Sequence, residues 1–229
     1  MTGSDAPGRG YWERHAKRYD RSTRFLSRPV PRMLERVVEA VEGRSRVLEV
    51  AAGTGLVTTA IAPVVRELVA TDYAIAMVQE LDTRVRAAGL SNVTCEQADI
   101  YDLQFEEAGF DAVVAANVLH LVPDLERALA SLRRVLRPGG VLVAPTYLHR
   151  ETLRASVLSR LFALTGFPGQ RRFTAQLLRQ AVESAGFRVR TVETIPGPFP
   201  IGYLDAVMVS SNDDEGSRVL PGSRSPRGR

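Results

Sequence analysis

The spacing of hydrophobic positions changes several times along the chain, and each change marks an element. Short β-branched runs occur at Arg46 to Val50, Glu67 to Thr71, Val93 to Ala98, Phe110 to Ala115 and Val141 to Pro145. Between most of them apolar residues recur three and four apart, which predicts helices stopping at Pro63, at Gly89 and at Arg137-Pro138-Gly139-Gly140. The order is β-α-β-α-β-x-β-α-β. Runs such as Val113-Val114-Ala115 and Val141-Leu142-Val143 do not alternate with polar residues, which suits parallel strands covered on both faces. Right-handed crossovers then dictate a doubly wound α/β sheet.

Two helices precede the first strand. One is predicted from Tyr11 to about Tyr19; the second follows Pro29 and Pro31, with Met33, Leu34, Val37, Val38 and Val41 as its apolar stripe and Gly43 as its stop. After the fifth strand a helix is expected from Glu151 to Leu164, broken by Gly166-Phe167-Pro168-Gly169, and Thr174 caps another that ends at Gly186. Phe187 to Glu193 and Ile201 to Val209, joined across Pro196-Gly197-Pro198, can only pair antiparallel. The chain divides into a disordered leader (1–10), one domain (11–211) and a disordered tail (212–229). Within the domain, 11–45 are the N-terminal helices and 147–173 a lid-like insertion.

Composition narrows the classes. The 229 residues are 45% apolar and 24% charged, ordinary for one globular domain. Cys95 is the single cysteine, which excludes an internal disulfide and any multi-cysteine metal centre and makes the cytoplasm the default compartment. No stretch reaches the ~18 apolar residues of a membrane span. The net charge of +4 comes from residues 1–46, which hold 11 basic and 6 acidic groups. A basic, solvated leader explains that better than a nucleic-acid or anionic-lipid surface.

The most informative stretch is Glu49-Val50-Ala51-Ala52-Gly53-Thr54-Gly55. A strand running into small residues and then a helix puts a tight turn at the carboxyl edge of the sheet, where open α/β sheets bind ligands. Gly53 and Gly55 allow close approach, and free amides at the helix start favour ligand oxygens. A NAD site fits poorly, because Thr58 stands at the third glycine and no basic residue lies near the turn. Glu49 would repel phosphate and welcome an ammonium or sulfonium group. Asp72, nineteen residues after Gly53, is placed to accept ribose hydroxyls, and Asp99 follows the third strand, where it could accept from an adenine amine.

These motifs resemble the class I S-adenosylmethionine-dependent methyltransferases, in particular those with a small-molecule methyltransferase domain. The resemblance rests on Val47 to Gly55, Ala70-Thr71-Asp72, Gln97 to Ile100, Phe110-Asp111, Ala116 to His120 and Leu136 to Gly140. It implies a Rossmann-like seven-stranded sheet ordered 3-2-1-4-5-7-6, with strand 7 antiparallel and helices on both faces. It also implies S-adenosyl-L-methionine as cofactor, leaving as S-adenosyl-L-homocysteine. In that frame Glu49, Ala51 and the amides of Gly53 and Gly55 lie near the methionyl part, Asp72 on the ribose, Asp99 and the Ile100 amide at the adenine, and the Asn117 backbone near the ammonium group. Tyr73 and Met77 join them as cofactor contacts, and Tyr11, His15 and Tyr19 could close over the cofactor. Ala51 departs from the family, which commonly has glycine there.

Methyl transfer from a sulfonium is an in-line displacement that needs alignment and a dry polar site, with no metal required. His120, His149 and Tyr147 are the candidates for acceptor contact or general base. Leu161, Phe162, Leu164 and Phe167 in the insertion point to an apolar or amphiphilic acceptor. Asn117-Val118-Leu119-His120 is not the Asn/Asp-Pro-Pro-aromatic pattern of base-directed enzymes, so a nucleic-acid acceptor is disfavoured. The runner-up is a lipid-headgroup N-methyltransferase working at the membrane surface, and a non-catalytic cofactor-binding protein is the third reading.

Overall fold

The computed structural model describes residues 29–148 and 171–209. The helix expected at Tyr11–Tyr19, the helix of the insertion and both chain ends lie outside these residues. Helix α1 (Val30–Val41) has prolines at its start, where a missing amide costs nothing, and buries Met33, Val37 and Val41. Strand β1 (Arg46–Val50) leads through the glycine turn into α2 (Leu56–Ile61), which tightens into a 3₁₀ turn at Ala62–Val64. Strand β2 (Glu67–Asp72), helix α3 (Ile75–Ala87), β3 (Val93–Gln97) and β4 (Phe110–Val114) follow. Then come α4 (Leu125–Val135), β5 (Leu136–Val143) and β6 (Thr146–Tyr147). The last elements are α5 (Ala175–Ser184), β7 (Phe187–Ile195) and β8 (Ile201–Met208). No helix among the described residues is long and apolar enough to cross a membrane.

The strands form one eight-stranded sheet ordered β3-β2-β1-β4-β5-β8-β6, with β7 on β8. Strands β1 to β5 pair parallel, and β8 runs against β5, β6 and β7. Without the two-residue β6, renumbering gives the expected 3-2-1-4-5-7-6 with strand 7 reversed. The expected antiparallel terminal pair is present.

Strand β5 starts earlier than the pattern predicts. Arg137-Pro138-Gly139-Gly140 does not separate helix from strand but lies inside the strand as an irregularity: Leu136 pairs with Phe110, the register shifts, and pairing resumes at Val141 with Ala112. Glycine makes this possible, since Gly139 has φ +73° and a Cβ on Gly140 would lie 2.8 Å from the Arg137 carbonyl. Asp111 holds the same corner: it accepts from the Ser45 and Arg46 amides at 2.8 Å each and pairs with Arg137 at 2.7 Å.

Alternate strand residues divide between two cores. On one face Leu48, Val113 and Leu142 pack with Leu129 and Leu132 of α4 and Leu178 and Val182 of α5. On the other, Val47, Ala112 and Val143 pack with Met33 and Val37 of α1 and Val57 and Ile61 of α2. Burying each large side chain stabilises by ~1.5 to 3 kcal/mol. Near-continuous apolar strands were the signal for this double cover. Glu49 shares its face with Val47, so its carboxylate points under α2 rather than out of the sheet.

Candidate functional site

The turn after β1 is held in a left-handed conformation at three of five positions: Ala51 (φ 53°), Gly53 (φ 56°) and Gly55 (φ 88°). Gly55 has a second constraint, because a Cβ would sit 2.6 Å from Leu81 Cδ1. Beside Gly53 nothing lies within 4 Å of that position, so backbone is open to a ligand there. Ala51 meets the strained geometry without the relief glycine gives, at ~1 to 2 kcal/mol.

The amides of this turn are less free than the sequence suggests. Gly53 N donates to Asp72 Oδ2 at 2.9 Å and Gly55 N to the Ala52 carbonyl at 3.0 Å. Asp72 is buried and its other oxygen accepts from Ala74 N at 2.9 Å, so its first task is to tie the β1 and β2 turns together. The Asp72 backbone carbonyl also accepts from Ala98 N at 3.1 Å, joining the ends of β2 and β3. Asp99, one residue on, is half-buried and accepts from Tyr101 N at 2.9 Å. The ends of β1, β2 and β3 therefore meet at one corner, with Asp72 hydrogen-bonded to both neighbours.

Glu49 is the most perturbed acid of the group. It is 1% exposed and accepts from Thr58 Oγ1 at 2.7 Å. Burial, with the Asp72 charge adding to it, pushes its carboxyl up to about 8, against the Thr58 hydrogen bond. A buried acid raised in this way keeps its proton to higher pH than a free carboxyl and becomes a counter-ion when a positive charge arrives. Thr58, which donates to Glu49, is the residue of this arrangement that the sequence reading missed. It was read only as a substituted third glycine, although a hydroxyl on the inner face of the helix after a strand-end acid was the available signal.

Asn117 lies just past β4 with φ 55°, its amide bonded to the Pro145 carbonyl at 2.7 Å. Among the described residues its Nδ2 reaches only Met33 Sδ, at 3.7 Å, and its Oδ1 is buried without a partner. Between β1 and β4 the strand order reverses, the position where such sheets bind ligands. Ile100 is half-buried beside Asp99. Half-buried Tyr73 and buried Met77 pack with Ala74 after β2.

His120, a candidate for acceptor contact, is buried. It is 1% exposed, with Nδ1 2.9 Å from Thr146 Oγ1, its ring edge-on to Tyr147 at 5.8 Å, and its carbonyl accepting from Arg171 N. Tyr147 is half-buried, also meets Phe199 edge-on at 6.4 Å, and burial raises its phenol above the ordinary value. His120 and Tyr147 are thus brought together beside the ends of β4 and β5. His149, Tyr11, His15 and Tyr19 lie outside the described residues.

A family model described as a methyltransferase domain matches residues 48–144. The chain is 40% identical over 116 residues to a chondramide synthase of Chondromyces crocatus, covering 48% of this chain and 3% of that protein. It is 36% identical over 129 residues to a demethylmenaquinone methyltransferase of Clavibacter sepedonicus, covering 55% of this chain and 51% of the relative. The chain thus spans a small fraction of the synthase and about half of the second relative. A solved S-adenosylmethionine-dependent methyltransferase from Aquifex aeolicus shares the fold, with TM-score 0.68, 21% identity, and 86% and 98% of the two chains covered.

Proposed function

We propose that the chain, whose residues 48–144 match a methyltransferase-domain model and whose fold is shared with a solved S-adenosylmethionine-dependent methyltransferase, is itself an S-adenosylmethionine-dependent methyltransferase that transfers a methyl group to a small apolar or amphiphilic acceptor by in-line displacement. The observation that carries the reading is the acidic corner of Glu49, Asp72 and Asp99 around the glycine turn, with no basic residue in the turn. Such a corner suits a cationic nucleoside and disfavours a phosphorylated one.

The residues fit S-adenosylmethionine. Open space beside Gly53 gives a ligand room against the backbone, and Glu49 is a buried acid that a cation would ionise. Asp72 would hold the ribose, Asp99 and the Ile100 amide the adenine, and the Asn117 backbone the ammonium end. When bound, the cofactor supplies the sulfonium methyl and its own leaving group. The chain's part is to orient the two reactants and exclude water, and orientation of this kind is worth ~7 to 11 kcal/mol of barrier. His120 or Tyr147 would contact the acceptor; one relative is named a demethylmenaquinone methyltransferase, which supports a small-molecule acceptor.

Titration calorimetry of the full chain with S-adenosylmethionine tests the first half of the reading. Saturable binding is expected, and no heat at about millimolar cofactor removes it. A screen for cofactor consumption across phenolic, lipid and amine acceptors tests the second half; turnover confined to polar amines refutes the acceptor class.

A further inference from the structure

His120 and Thr146 form a buried polar pair whose shared proton the methyl-transfer reading leaves unassigned. Thr146 is 0% exposed, follows the apolar run that ends β5, and places its Oγ1 2.9 Å from His120 Nδ1. Threonine in place of valine at such a position desolvates a hydroxyl, and a hydrogen bond is what offsets that cost.

Both partners are held from several sides. Thr146 opens β6 and pairs antiparallel with Gly202 of β8, and a β-branched side chain has few χ1 choices. The strand is pinned before and after it: Ala144 N donates to the Leu204 carbonyl and Leu148 N to the Pro200 carbonyl, each at 2.8 Å. Gly202 lets these segments close, since a Cβ there would lie 2.8 Å from Leu148 Cδ2. The turn carrying His120 is tied to the same place through Asn117 N, which donates to the Pro145 carbonyl at 2.7 Å.

Matching donors to acceptors places the proton. A threonine hydroxyl has one hydrogen to donate, and a neutral imidazole has one N–H and one lone-pair nitrogen. Among the described residues His120 Nδ1 is the one hydrogen-bond partner of Thr146 Oγ1. Were Nδ1 to carry the ring proton and donate it, the hydroxyl hydrogen would be buried with no acceptor. With Oγ1 donating to Nδ1 both groups are matched, and the ring proton sits on Nε2. An unmatched buried donor disfavours the first arrangement by roughly tenfold in population.

We propose that Thr146 is a positioning residue: it donates to Nδ1 and holds His120 as the Nε2–H tautomer, a hydrogen-bond donor rather than a general base. Whatever Nε2 meets, it meets as a donor. The consequence for chemistry rests on the methyl-transfer reading. Nε2 already holds a proton and takes none from the acceptor, so of the two roles open to His120 acceptor contact stands and general base falls. The acceptor that suits it carries an accepting oxygen, a carbonyl or a phenolate, and loses any proton by another route.

The test is long-range proton–nitrogen magnetic resonance of the ligand-free full chain with isotopically labelled histidine nitrogens, in wild type, T146S and T146V, the His120 signals being identified by their loss in H120Q. At about pH 8.5 an ordinary imidazole is neutral. Wild type and T146S are expected to carry the proton on Nε2 about tenfold over Nδ1. T146V, of the same shape but with nothing to donate, should lower that ratio at least about threefold. Packing alone would leave the ratio equal in T146V. That equality overturns the proposal, and so does a wild-type ring protonated on Nδ1, which needs no variant. Because cofactor and acceptor are absent from the sample, the outcome is separate from the methyl-transfer reading, which calorimetry with S-adenosylmethionine tests by itself.

Discussion

Replacing Glu49 by Gln isolates the electrostatic cost of the acidic corner. The carboxyl goes from 4.5 to about 8 on folding, chiefly through burial. An acid raised in the folded state contributes no penalty below pH 4.5, where both states are protonated. Between 4.5 and about 8 the unfolded chain has lost its proton while the folded one keeps it, so stability falls by about 1.4 kcal/mol per pH step. Above about 8 the penalty is constant, at about 5 kcal/mol. Gln keeps the shape and an oxygen to accept from Thr58 Oγ1 but has no proton to lose. Urea unfolding of the ligand-free wild type and E49Q should therefore agree near pH 4 and diverge towards pH 9, with the variant the more stable. The same group predicts that cofactor binding at pH 7 releases a proton, seen as a buffer-dependent calorimetric heat that E49Q abolishes. A stability difference that stays constant from pH 4 to pH 9 would refute the buried, neutral Glu49.

The other predictions concern the turns and the acceptor side. Asp72→Ala should weaken cofactor binding by ~1 to 3 kcal/mol and lower the unfolding midpoint, because it also removes the Gly53 and Ala74 contacts; unchanged calorimetric affinity would reject the ribose contact. Gly55→Ala should cost ~2 to 4 kcal/mol, from its clash with Leu81 plus backbone strain, and Gly53→Ala only ~1 to 2, from strain alone. Equal unfolding midpoints would contradict that ranking. Ala51→Gly should stabilise by about 0.5 to 1 kcal/mol in the same assay, strain relief exceeding the entropy cost of glycine. His120→Ala should lower turnover while leaving cofactor affinity unchanged; undiminished turnover would assign the ring to packing against Thr146 and Tyr147 alone.

Much of the acidic corner was legible because strand ends can be read from local pattern. Glu49 and Asp72 stand at the ends of the apolar runs of β1 and β2, Asp99 two residues past the more polar β3, and the three strands pair in register, so locating each strand end also located its acid. What pattern could not show was where each carboxylate spends its hydrogen bonds. Asp72 is committed to two backbone amides and Glu49 to Thr58, because loops from different strands converge there. His120 was a candidate for acceptor contact because it follows a strand, yet Thr146 and Tyr147, more than twenty residues on, pack against it. The Arg137-Pro138-Gly139-Gly140 stretch reads locally as a stop. Only the neighbouring β4 and the Asp111 clamp show it to be an irregularity within a strand.

The sequence by itself determined the succession of helices and strands, the two buried faces of the sheet and the strand ends bearing acids. Periodicity and glycine placement act over a few residues, and handed crossovers leave little choice of topology. Only the tertiary structure decided the raised carboxyl of Glu49 and the burial of His120. Each depends on how completely distant segments remove water from a polar group, a quantity set by packing rather than by neighbours in the chain.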